Sequence, residues 1–157
     1  MNFTEQANAL ADRIRKVCGP QARYRVLWVL GPPRAGKSTL CQEVSRRTGW
    51  QYVNFTLDPG YLDSLLGKEK TYRPEDLLAA LRTWCKACPA EVLILDEIEP
   101  LLGLWTHQQQ NTFFKLIGRA TRLERGVVIV TRLRNAQDMA KLVPGREHVF
   151  ELTGGAI

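Results

Sequence analysis

No apolar run in this 157-residue chain approaches the eighteen or so residues that cross a bilayer, which argues against a membrane-spanning helix. The start, Met1-Asn2-Phe3-Thr4-Glu5, has neither the basic residues nor the apolar stretch of a secretory signal. Internal repeats, low-complexity tracts and long linkers are missing, so one domain over residues 1–157 is the simplest organisation. Cysteine is sparse: Cys18, Cys41, Cys85 and Cys88. Cys85 and Cys88 form a C-x-x-C, but a structural zinc site needs a second ligand pair. Neither Cys18 with Cys41 nor His107 with His148 has that spacing, so the four are read as buried thiols in a reducing compartment. No run of aromatic residues interleaved with basic ones marks the stacking platform of a single-strand nucleic-acid binder.

What is present is ordinary for a globular chain, with 45% hydrophobic and 24% charged residues. The net charge of +6 comes from 22 Lys+Arg against 16 Asp+Glu. The basic residues are dispersed in small groups: Arg13/Arg15/Lys16, Arg23/Arg25, Arg46/Arg47, Arg119/Arg122/Arg125 and Arg132/Arg134. That pattern suits a solvated basic surface, with contact to DNA or to an acidic protein left open.

Hydrophobic periodicity predicts a helix from Thr4 to Val17, where Ala7, Leu10, Ala11, Ile14 and Val17 share one face, stopped by Cys18-Gly19-Pro20. This N-terminal helical segment (1–20) precedes a core over 26–152. Strands are expected at 26–30 and 51–57, with a short helical turn at 61–67 and a helix opened by Arg73-Pro74-Glu75-Asp76 and closed by Pro89. Val92-Leu93-Ile94-Leu95 and Val127-Val128-Ile129-Val130 are wholly apolar runs of the kind found in parallel strands covered on both faces. Helices are expected at 107–123 and 136–142, and a last strand at 148–152. Alternating strands and helices imply an α/β three-layer fold with a parallel sheet, whose ligands bind at the carboxyl ends of the strands.

The residues after the first strand carry the strongest signal. Gly31-Pro32-Pro33-Arg34-Ala35-Gly36-Lys37-Ser38 fits the phosphate-loop pattern G-x-x-x-x-G-K-[ST], and a helix-like run begins at Thr39. Phosphate charge is held best by backbone N–H groups converging at a helix N-terminus, and Gly31 and Gly36 permit the tight wrap. Lys37 would reach the β- and γ-phosphates, and Ser38 would coordinate Mg²⁺. Asp96-Glu97 follow directly on the strand at 92–95. Asp96 would hold the Mg²⁺ hydration shell with Ser38, and Glu97 would orient and deprotonate a water aimed at the γ-phosphate. A nucleotide site of this type, without targeting signals, places the chain in the cytoplasm.

A G-x-x-x-x-G-K-S loop followed by four apolar residues and Asp-Glu resembles the additional-strand P-loop ATPases, in particular the AAA+ ATPases, over nearly the whole chain. The resemblance implies a five-stranded parallel sheet in the order 5-1-4-3-2, ATP with Mg²⁺ as the ligands, and assembly into a homo-oligomer. It also implies roles for three further positions. Asn54 is similar to a polar residue often seen in the second strand. Thr131 would be the sensor that contacts the γ-phosphate or the attacking water, with Asn135 as the fallback. Arg146, before the final strand, would be an arginine finger acting on a neighbouring subunit. Arg119, Arg122 and Arg125 are competing donors, of which Arg122 and Arg125 could instead favour a helix C-terminus.

Typical AAA+ modules continue into a helical lid, whereas here Leu152-Thr153-Gly154-Gly155-Ala156-Ile157 follows the fifth strand. A fold without that lid is therefore expected, with adenine contacts from Gln21 to Arg25 or from a partner and with slow or partner-dependent hydrolysis. Pro32, Pro33 and Arg34 make the loop stiff and cationic. A bare core of this size is similar to the small P-loop proteins of BREX phage-defence systems, which implies other protein subunits and DNA nearby. Two alternatives remain. One is a small-molecule kinase, with Asp58 as an acceptor-binding acid. The other is a nucleotide-binding scaffold with little turnover. The sequence has no N-K-x-D motif of the guanine-specific type, which favours adenine.

Overall fold

The computed structural model describes residues 2–153. Five strands form its centre: β1 (Val26–Leu30), β2 (Gln51–Asn54), β3 (Val92–Asp96), β4 (Gly126–Thr131) and β5 (Val149–Glu151). They lie in the order β2-β3-β4-β1-β5, every pair parallel, which is the expected 5-1-4-3-2 arrangement. β1, β3 and β4 are buried along their whole length, as their uninterrupted apolar runs require.

Alternation along the strands divides the core in two. Leu27, Val29, Ile94, Val128 and Val130 face α1 (Phe3–Val17) and α2 (Lys37–Thr48). Val26, Trp28, Leu30, Leu93, Leu95 and Ile129 face α3 (Pro74–Ala87) and α5 (His107–Gly118), with the one-turn helices α4 (Glu99–Leu102) and α6 (Ala136–Met139) at the margin. α1 buries the five residues whose spacing predicts it, and Asn2 and Glu5 cap its start reciprocally. On the other face Trp28 meets Phe113 and Phe114 edge-on, with ring centroids 5.6 and 5.1 Å away. Such pairs each add about 0.5–1.5 kcal/mol beyond area burial.

Several elements are shorter than periodicity suggests, each for a local reason. β2 stops at Asn54 because its side-chain Oδ1 accepts the N–H groups of Thr56 and Leu57, turning the chain. α5 ends at Gly118 rather than 123: Arg119 leaves the helix and donates to the carbonyls of Leu142 and Val143. Arg122 adopts a left-handed backbone (φ 60°) and Arg125 donates to the Cys88 carbonyl, so neither lies on a helix C-terminus. α6 spans one turn rather than 136–142. The last strand begins at Val149 because His148 closes a 3₁₀ turn and its Nδ1 bonds the Val26 carbonyl at 2.9 Å.

All four cysteines are free and buried, and burial raises the thiols of Cys18 and Cys85 to about 12 and about 11. They are packing groups, and among the described residues no cluster of three or more His, Cys, Asp or Glu could hold a metal. Also among the described residues, no helix is long and apolar enough to cross a membrane.

At the start of β4 the backbone passes close against the N-terminal segment. A Cβ on Gly126 would sit 2.5 Å from the Cys18 Cβ and 2.7 Å from its carbonyl oxygen. Gly126→Ala should therefore destabilise the fold by about 1–3 kcal/mol, read from denaturant unfolding against the wild type.

Candidate nucleotide site

The parallel order brings the carboxyl ends of β1, β3 and β4 to one edge. The register aligns Leu30 with Thr131 and Leu95 with Ile129, so Gly31, Asp96 and Thr131 leave the sheet side by side. Residues 31–36 then loop over this edge into α2. Gly36 has a left-handed backbone (φ 92°) that favours glycine, and it is the N-cap of α2, with its carbonyl accepting the Leu40 N–H. It supplies no side-chain cap, which leaves the first N–H groups of α2 to point out of the helix end. At Gly31 the constraint is room: a Cβ would lie 2.8 Å from the Leu152 carbonyl oxygen. Arg34 is itself left-handed (φ 67°) and exposed.

A cleft of about 430 Å³ opens here, lined by Pro33, Arg34, Gly36, Lys37, Ser38, Thr39, Asp96, Glu97, Glu99, Val130, Thr131 and Arg132. Lys37, Ser38, Asp96, Glu97 and Thr131 therefore share one cavity. Lys37 donates from Nζ to the carbonyls of Gly31 and Pro32, both at 2.7 Å. Partial burial lowers its pKa, opposed by the nearby carboxylates of Glu99 and Asp96. Asp96 is only 3% exposed, and its carboxylate accepts the Glu97 N–H at 2.8 Å and the Tyr52 hydroxyl. Burial, then that carboxylate, keeps the Tyr52 phenol well above its ordinary pKa and thus a proton donor.

Glu97 sits in the left-handed region (φ 60°), an unusual place for a residue with a long side chain. Two bonds hold it there: its N–H goes to Asp96, and its carbonyl accepts the Thr56 hydroxyl at 2.7 Å. Its carboxyl is pushed above the ordinary glutamate range, by burial first and then by Asp96 and Glu99. Thr131, 1% exposed, donates its hydroxyl to Glu99 Oε2 at 2.9 Å, and the Arg132 N–H reaches the same oxygen at 3.1 Å.

Glu99 and Tyr52 escape the sequence reading. Tyr52 lies two residues before Asn54, which pairs in register with Asp96, so one strand face carries its ring to that carboxylate. Glu99 stands three residues after Asp96, at the start of α4, and a helical turn there returns it to the cleft. Arg132 also lines the cleft, although the sequence shows it only as part of a dispersed basic group.

Other candidates lie elsewhere. Asn54 caps the turn after β2, and Asp58, the acid a kinase acceptor would need, accepts the Asn54 N–H at 2.9 Å. Asn135 accepts the Asp138 N–H at 2.8 Å as the cap of α6, which leaves Thr131 as the sensor candidate facing the cleft. Arg146 is exposed in the turn before β5, beside the N-terminal end of β1 and so at the far end of the sheet from the phosphate loop. Residues 21–25 also precede β1 and sit at that far end. Arg25 is buried there on the carbonyls of Cys18 and Leu123, which removes it as an adenine contact.

The model of the ATPase family associated with various cellular activities (AAA) matches residues 27–150. The chain belongs to the AAA family. Its AAA domain is similar to the Lon protease of Methylocella silvestris, 28% identical over an alignment of 164 residues covering 90% of this chain and 19% of that protein. The chain thus spans about a fifth of that relative's length. Among solved structures, a Walker-type ATPase of Pyrococcus abyssi superposes with a TM-score of 0.54 at 13% identity, over 97% of this chain and 53% of that one. The fold is that of a P-loop nucleotide-binding domain. Ser38 and Asp96 offer the hard oxygen donors that Mg²⁺ prefers, and one hydroxyl and one carboxylate suffice where phosphates and water complete the octahedron.

The raised carboxyl of Glu97 has a stability consequence. The folded chain holds that proton more readily than the unfolded chain, so ionised Glu97 opposes folding above its raised pKa, and the penalty fades as pH falls through it. Glu97→Gln should therefore melt at or above the wild-type temperature at pH 7–8. The difference should shrink on acidification toward the ordinary glutamate range of about 4.3, in thermal melts across a pH series.

Proposed function

We propose that this AAA domain binds ATP with Mg²⁺ and hydrolyses it, as one subunit of a homo-oligomer working with other proteins. The observation that carries this reading is the convergence of Lys37, Ser38, Asp96, Glu97 and Thr131 on one cleft at the N-terminus of α2. Lys37 would exchange its two loop carbonyls for phosphate oxygens, with the α2 N–H groups beside it. Ser38 and Asp96 would hold the magnesium ion, which when bound neutralises charge on the phosphates. Glu97 would accept a proton from a water whose oxygen attacks the γ-phosphorus as the bond to the β–γ bridging oxygen breaks. Thr131 would orient that water or the γ-phosphate, released from or sharing its bond to Glu99.

Arg146 supports the oligomeric part of this reading: an exposed arginine at the far end of the sheet suits action on a neighbour's cleft better than on its own. Of the three competing donors, Arg119 and Arg125 are occupied by backbone carbonyls. The likeness of motif layout to the small P-loop proteins of BREX systems supports a place in a DNA-associated phage-defence assembly in the cytoplasm.

Phosphate release and ATP binding, with and without DNA, test the reading. Glu97→Gln should lower release by about 10²–10⁴-fold while keeping ATP affinity, and Lys37→Ala should lose binding. A wild-type chain that binds ATP without releasing phosphate under any condition would make it a scaffold. Arg146→Ala should be inactive alone and regain activity when mixed with Lys37→Ala, since each supplies what the other lacks. Unaltered turnover of Arg146→Ala by itself would remove the finger assignment.

A further inference from the structure

Tyr52 is conspicuous because a phenol reaches into the metal-binding corner from below. Its ring is anchored on β2 and packs against the core under α1 and α2, so the hydroxyl has a fixed position rather than a swinging one. The hydroxyl donates to Asp96 Oδ2, and Ser38 of α2 lines the same cleft as that carboxylate. Ser38 and Asp96 are the two groups that would hold Mg²⁺, and Tyr52 holds the second of them. The other Asp96 oxygen is fixed by the Glu97 N–H. Each carboxylate oxygen has two acceptor directions, so Asp96 keeps one free on each oxygen while both donors stay in place.

We infer that Tyr52 is a positioning residue for the metal: it aims the Asp96 carboxylate so that its free lone pairs meet magnesium and its water shell. This deepens the ATP–Mg²⁺ reading and rests on it. The chemistry is that of an outer-shell donor, which orients a ligand without touching the ion. Losing such donors commonly costs 10–100-fold in metal affinity. Tyr52 is not among the residues that line the cleft, so its effect should fall on the metal rather than on the nucleotide alone.

The test is Tyr52→Phe, which keeps the ring and its packing and removes only the hydroxyl. ATP binding is followed by calorimetry in EDTA and then across a magnesium titration, in the wild type and the variant. Binding in EDTA should be unchanged, which shows that the phosphate loop remains folded, while the magnesium midpoint rises by about 10-fold. A midpoint within twofold of the wild type, or one that falls, would overturn the role of Tyr52. So would an equal loss of affinity in EDTA and in magnesium, which marks a purely structural effect. If the wild type binds no ATP in either buffer, the nucleotide reading falls and the Tyr52 role with it. Wild-type binding with an unmoved midpoint sinks the Tyr52 role alone.

Discussion

Parallel pairing of β1 with β4 and of β4 with β3 is the constraint from which the rest of the molecule follows. Strands that run the same way place all their carboxyl ends at one edge, and connections between them must cross the faces as helices. That one requirement produces the two helical layers, the fully apolar central strands, and the meeting of Gly31, Asp96 and Thr131, which are far apart in sequence. The Leu30–Thr131 alignment shows how tight the demand is: a slip of one residue would turn every inward side chain of β4 to the opposite core.

At that edge three of the buried or half-buried polar side chains have internal partners. Lys37 rests on two loop carbonyls, Asp96 on a phenol and an amide, and Thr131 on Glu99. Unpaired, these buried or half-buried groups would cost more than their bonds return. A triphosphate entering the cleft must therefore exchange bonds rather than simply gain them. This sets a selectivity: only a ligand dense in negative charge offers Lys37 more than two neutral carbonyls do. The left-handed backbone of Glu97 belongs to the same economy of fixed geometry, since two hydrogen bonds hold the residue in a conformation its own sterics disfavour.

The phosphate loop, Asp96-Glu97 and the two apolar strands are legible in the chain because their physics is local. A glycine that must turn left-handed, a helix N-terminus that must follow, and a strand buried on both faces all leave marks within a few residues. Element ends are less legible for the same reason reversed. Asn54 ends β2 by capping a turn, and Arg119 ends α5 by reaching carbonyls 23 and 24 residues away, contacts that periodicity does not carry. Arg25 is the instructive failure: near the motif in sequence, it sits at the other end of the strand that separates them.

The sequence by itself determined the layered α/β class, the phosphate loop and its acidic partner, and membership of a nucleotide-binding lineage, because each depends on short-range pattern and backbone permission. Only the tertiary structure decided that Glu99 bonds Thr131, that Tyr52 bonds Asp96, and that Arg146 stands away from its own cleft. Those relations are set by register between strands and by which face a side chain leaves, and both exist only once the sheet has closed.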